Sequence, residues 1–105
     1  MTPETISASW RVNIYTHWLP IVRKIAYEHG YALGLHGSCV KDLDVIAVPW
    51  IEDAKPTMDL VNAIALGLGL IYLDAEITQK PHRRKCFLLY APRSNSYIDL
   101  SVVEV

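Results

Sequence analysis

The stretch Leu35-His36-Gly37-Ser38-Cys39-Val40-Lys41-Asp42-Leu43-Asp44-Val45 decides how this chain is read. It joins two short apolar segments, Tyr31 to His36 and Asp42 to Val48, the second stopped by Pro49. Both read as strands, because each is brief, mostly apolar and bounded by glycine or proline. Successive side chains of a strand point to opposite faces. Asp42 and Asp44 therefore share one face, and Leu43, Val45 and Ala47 share the other. Aspartate is depleted in strands, so two of them among strong strand formers ask for a reason.

The last segment, Tyr97 to Val103, repeats the pattern. Ile98, Leu100 and Val102 fall on one face, and Asp99 and Ser101 on the opposite one. With both apolar faces packed under helices, Asp42, Asp44 and Asp99 emerge together on the open face. Neighbouring strands lie ~4.8 Å apart, and three carboxylates that close repel unless a cation sits among them. Hard divalent ions such as Mg²⁺ or Mn²⁺ take oxygen ligands of this kind. The step before them fits the same chemistry. Gly37 lets the backbone approach a ligand, and Ser38 with the N–H groups after it offers a phosphate cradle.

The remaining elements follow from periodicity and punctuation. Ser9 to His29 reads as helix, with Ile14, Trp18, Ile21, Val22, Ile25 and Ala26 at helical spacing. Pro20 is expected to kink or restart it, and Gly30 stands where a C-terminal cap belongs. Trp50 to Pro56 reads as loop, and Thr57 as the N-cap of a second helix ending near Gly67 or Gly69. Leu70 to Thr78 is expected as strand. Cys86 to Ala91 and Tyr97 to Val103 form a hairpin around Pro92-Arg93-Ser94-Asn95-Ser96. The order α-β-β-α-β-β-β predicts one α/β (α+β) domain spanning 1–105, a small mixed sheet with two main helices on one face.

The 105 residues suit a single domain. A net charge of -1 supplies no global field toward nucleic acid or membrane. The one basic cluster is local, His82-Arg83-Arg84-Lys85, and reads as a solvated connection between strands. Residues 1–5 lack a signal-peptide pattern, and the apolar run Ala63 to Leu73 is too short to cross a bilayer. A soluble cytoplasmic protein with reduced thiols at Cys39 and Cys86 is expected, both cysteines buried as small apolar side chains. Trp10, Trp18 and Trp50 are expected as core or interface anchors, and His36 in a packing role. Asp74-Ala75-Glu76 repeats the carboxylate spacing and reads as an exposed strand face. Asp53-Ala54-Lys55 lies in the loop before Pro56.

Three elements occur in order: His36-Gly37-Ser38, Asp42-Leu43-Asp44-Val45 and Ile98-Asp99-Leu100. Together they resemble the polymerase-beta nucleotidyltransferase superfamily, which carries a Gly-[Gly/Ser] step, an Asp-x-[Asp/Glu] pair and a later strand carboxylate. The small size is similar to that of the minimal nucleotidyltransferases, some of which work beside a helical protein partner. The resemblance implies transfer of a nucleoside monophosphate from a nucleoside triphosphate to a hydroxyl acceptor. It assigns metal binding and catalysis to Asp42, Asp44 and Asp99, and nucleotide binding to Gly37, Ser38 and Lys41. Only Cys39-Val40-Lys41 separates Ser38 from Asp42, a shorter connection than the family's usual one. A partner protein or a small acceptor would then complete the site. The alternative is a non-catalytic nucleotide- or protein-binding module with the same fold.

Overall fold

The structure is a computed structural model that describes residues 3–37 and 41–104, with side chains from residue 12 onward within those ranges. Ser38, Cys39 and Val40, and the side chain of Trp10, lie outside the described residues. The chain order is helix α1 (Pro3–Glu28), strands β1 (Tyr31–His36) and β2 (Leu43–Pro49), and helix α2 (Thr57–Leu68). A short 3-10 turn (Asp74–Glu76) follows, then β3 (Thr78–Lys80), β4 (Arg84–Tyr90) and β5 (Tyr97–Val103). The five strands form one mixed sheet in the order β1-β2-β5-β4-β3.

The expected α+β architecture is present. Leu43, Val45 and Ala47 of β2, Ile98, Leu100 and Val102 of β5, and Phe87 and Leu89 of β4 are buried in one core. Tyr15, Val22 and Ala26 of α1 and Leu60, Val61 and Ile64 of α2 close that core from the helical side. The alternate residues of the same strands form the opposite face. β2 and β5 run parallel at the centre, and the other pairings are antiparallel. No described helix is long and apolar enough to cross a membrane.

Several local expectations are corrected. Pro20 neither splits nor restarts α1, which is one helix of 26 residues beginning at Pro3. Pro20 is exposed, so the carbonyl its missing N–H leaves unpaired can face water. Thr57 is not the N-cap of α2. Pro56 occupies that position without a side-chain cap, and the Thr57 hydroxyl donates instead to Glu104 Oε2 at 2.9 Å. The proposed Leu70–Thr78 strand shrinks to a single bridge, Ile71 to Tyr90, before the 3-10 turn. Asp, Ala and Glu are poor strand formers, and only Thr78–Lys80 pairs with β4. Asp74 and Glu76 therefore do not lie on an exposed strand face.

Candidate functional site

The parallel pairing of β2 with β5 sets Asp44 opposite Asp99, as Leu43 faces Ile98 and Val45 faces Leu100. This register follows from burial: a slip of one residue would turn the apolar set of one strand away from the core. Asp42 precedes β2 by one residue and shares the face of Asp44. One carboxylate oxygen from each of Asp42, Asp44 and Asp99 lies within 4.8 Å of the others. All three side chains are partly buried at the surface of the helix-free face.

Electrostatics follow from this crowding. Burial, and then the negative charge of Asp44, raises the Asp42 carboxyl above the ordinary value, with Lys41 opposing. Burial likewise raises Asp99, followed by Asp44 and Asp42; Lys80 and Arg84 oppose the rise. Lys80 and Arg84 pair with each other across β3 and β4 on the same sheet face. The phenol of Tyr97 is also raised, by burial first and then by Asp42 and Asp99. Each shift comes from burial first and from the neighbouring negative charges second.

A divalent ion with oxygens at about 2.1 Å places opposite ligands about 4.2 Å apart. Adjacent ligands of the same octahedron lie about 3.0 Å apart, so the three oxygens, within 4.8 Å of one another, would draw closer together around an ion. The donor set, three carboxylates and no thiol, suits Mg²⁺ or Mn²⁺.

Gly37 sits at the mouth of the cluster with φ +83°. A Cβ there would come within 3.7 Å of Asp44 Cβ and 3.9 Å of its Oδ2. The glycine is therefore required by its left-handed backbone rather than by lack of space. Lys41 is exposed, and its carbonyl accepts a hydrogen bond from the Tyr15 hydroxyl at 2.8 Å. That bond ties the entry to β2 to α1.

His36 is exposed rather than packed, and its Nδ1 lies 3.3 Å from Asp44 Oδ2. The antiparallel register of β1 on β2 puts His36 directly opposite Asp44, a relation that local sequence does not contain. Tyr90 and Tyr97 were also missed. They face each other across the β4–β5 hairpin, with ring centroids 5.7 Å apart. The available signal was spacing: Tyr97 stands two residues before Asp99 and so shares its face.

Other sequence candidates lie elsewhere. Glu76 accepts a hydrogen bond from the Tyr90 hydroxyl at 2.9 Å. Asp53, Ala54 and Lys55 remain in the loop before α2. Cys86 is buried, 3.2 Å from the Ser101 hydroxyl. Trp18 packs against the core beside Tyr15, whereas Trp50 is exposed and stacks on Tyr27. Arg84 and Lys85 belong to β4 rather than to a connection, and only Pro81, His82 and Arg83 form the turn. A cavity of about 640 Å³ is lined by Tyr31, residues of the Pro49–Thr57 segment, Val103 and Glu104. None of the three aspartates lines it. Comparison with protein-family models gives no match, and comparison with curated proteins gives none.

Proposed function

We propose that this chain is a cytoplasmic, nucleotidyltransferase-like protein that transfers a nucleoside monophosphate from a nucleoside triphosphate to a hydroxyl acceptor. The observation that carries the reading is the convergence of Asp42, Asp44 and Asp99, from two neighbouring parallel strands, to within 4.8 Å. Asp42, Asp44 and Asp99 would hold Mg²⁺ or Mn²⁺. When bound, the cation supplies positive charge to the carboxylates and to the phosphates of the substrate.

The residues of the chain then divide the work. Asp42 and Asp44 fix the position at which the phosphates sit. Gly37, Ser38 and Lys41 bind the triphosphate through backbone N–H groups, a hydroxyl and an ammonium. Asp99 accepts the proton of the acceptor hydroxyl. The acceptor oxygen bonds to the α-phosphorus, the bond from that phosphorus to the bridging oxygen breaks, and pyrophosphate leaves. The open sheet face leaves room for a small acceptor or a segment of a partner protein.

The test is label transfer from α-³²P nucleoside triphosphates, with Mg²⁺ or Mn²⁺, to small hydroxyl compounds and proteins. Transfer is expected with the native chain and absent from Asp44→Ala; undiminished transfer by that variant sinks the assignment. The three-residue link Cys39-Val40-Lys41 favours one second reading, a non-catalytic nucleotide- or protein-binding module of the same fold. Calorimetric binding of Mg-nucleotide without turnover on any acceptor would support it.

A further inference from the structure

Beside the aspartate cluster lies a second concavity of about 350 Å³, lined by Lys41, Tyr90, Ser94, Asn95 and Tyr97. We propose that this concavity is the nucleobase pocket of the chain, with the base lying on the Tyr90–Tyr97 wall and the phosphates directed past Lys41 to the three aspartates. The proposal rests on the reading of those aspartates as a nucleotidyl-transfer site and adds to it the part of the substrate that is recognised.

Four observations carry it. First, the volume lies at the small end of the roughly 300–1,000 Å³ seen for ligand sites, which suits one base with its sugar better than a larger ligand. Second, the wall is aromatic and fixed. The Tyr90 and Tyr97 rings are 5.7 Å apart and inclined by 37°. They already touch each other, so they form one surface rather than two jaws. The Tyr90 hydroxyl is anchored to Glu76, so the ring is held before any ligand arrives. Aromatic faces of this kind accept a stacked base.

Third, the rim is polar and preformed. Ser94 N donates to Ala91 O, Ala91 N to Ser96 O, and Ser96 N to Ser94 Oγ. This network holds Asn95 at the tip of the turn. Among the described residues the Asn95 amide makes no side-chain hydrogen bond, so its donor and acceptor are available to a base edge. Fourth, the order of groups matches a nucleotide. The aromatic wall comes first. Lys41, the cation that borders the pocket, is next in sequence to Asp42. Tyr97 shares the face of Asp99, two residues on in β5.

The test uses nuclear magnetic resonance titration of the whole chain, without divalent ions, with AMP, CMP, GMP and UMP and with ribose 5-phosphate. At least one nucleotide is expected to shift the Tyr90, Tyr97, Lys41 and Asn95 signals at concentrations where ribose 5-phosphate does not. Tyr97→Leu, which keeps apolar bulk in the strand, is expected to weaken that nucleotide about tenfold, the effect of losing one stacking contact. Asn95→Ala, in an exposed turn, is expected to alter the preference among the four bases while leaving the fold intact. Equal responses to ribose 5-phosphate and the nucleotides would overturn the pocket, as would unchanged binding by a folded Tyr97→Leu and by Asn95→Ala. A parallel Mn²⁺ titration separates the two readings. Mn²⁺ broadening at the aspartates without nucleotide shifts overturns the pocket alone. Nucleotide shifts without Mn²⁺ binding support the pocket and overturn the metal-dependent reaction.

Discussion

Asp44 and Asp99 are direct partners in the parallel register of β2 and β5, and each points from the helix-free side of the sheet. The pairing sets two carboxylates side by side, and Asp42 adds a third. Like charges opposite each other in a sheet are destabilising. The arrangement therefore stores repulsion that a bound cation would relieve.

The first expectation concerns that cation. Mn²⁺ should bind one site per chain, read by electron paramagnetic resonance or by calorimetry, and Mg²⁺ should compete for it. Asp44→Asn and Asp99→Asn should each weaken binding at least about tenfold, since even indirect partners of a metal site are worth that much. Unaltered Mn²⁺ affinity in both variants would place the ion elsewhere.

Acidity should oppose the same binding. Asp42 and Asp99 both hold their protons to higher pH than ordinary carboxyls, so protons compete with the cation above the usual carboxylate range. Mn²⁺ affinity should fall as pH drops toward the model-peptide value of 3.8, beginning earlier than for an unperturbed aspartate. A titration of affinity against pH that stays flat down to that value would contradict this.

Stability without divalent ions should run the other way. A carboxyl whose folded value is raised binds its proton more tightly folded than unfolded. Its unfavourable contribution is absent below the unfolded value, grows as pH rises through the raised folded value, and persists above it. At pH 7 Asp99→Asn should therefore raise the melting temperature by a few degrees, worth at most about 1 kcal/mol because the site is partly solvated. Mg²⁺ should raise the melting temperature of the native chain more than that of the variant.

Gly30 offers a test of the frame rather than of the site. Its φ is +87°, and a Cβ would stand 2.8 Å from both Ala54 Cα and Ile51 Cγ1. Two hydrogen bonds cross here, from Trp50 N to Gly30 O and from Lys55 N to His29 O. Gly30→Ala should cost about 2 kcal/mol or more, through backbone strain and displacement of the 50–55 loop. Denaturant unfolding measures it, and a loss below about 0.5 kcal/mol would show that the turn rearranges freely.

The parts of this protein that its sequence alone determined are those with a local cause. Alternation sorted Leu43, Val45, Ile98, Leu100 and Val102 from Asp42, Asp44 and Asp99, because a strand has only two faces and one must be buried. Helical spacing and the glycine after α1 marked that helix and its end. Where local preference was weak, at Leu70–Thr78, or where a longer-range partner intervened, as Glu104 does for Thr57, the expectation failed. The tertiary structure alone decided that β5 lies beside β2 and parallel to it. It also decided that β1 carries His36 to Asp44, and that the β4–β5 hairpin sets Tyr90 beside Tyr97, whose phenol feels the charges of Asp42 and Asp99. Those are contacts between residues distant in the chain, and strand order and register, not side-chain periodicity, create them.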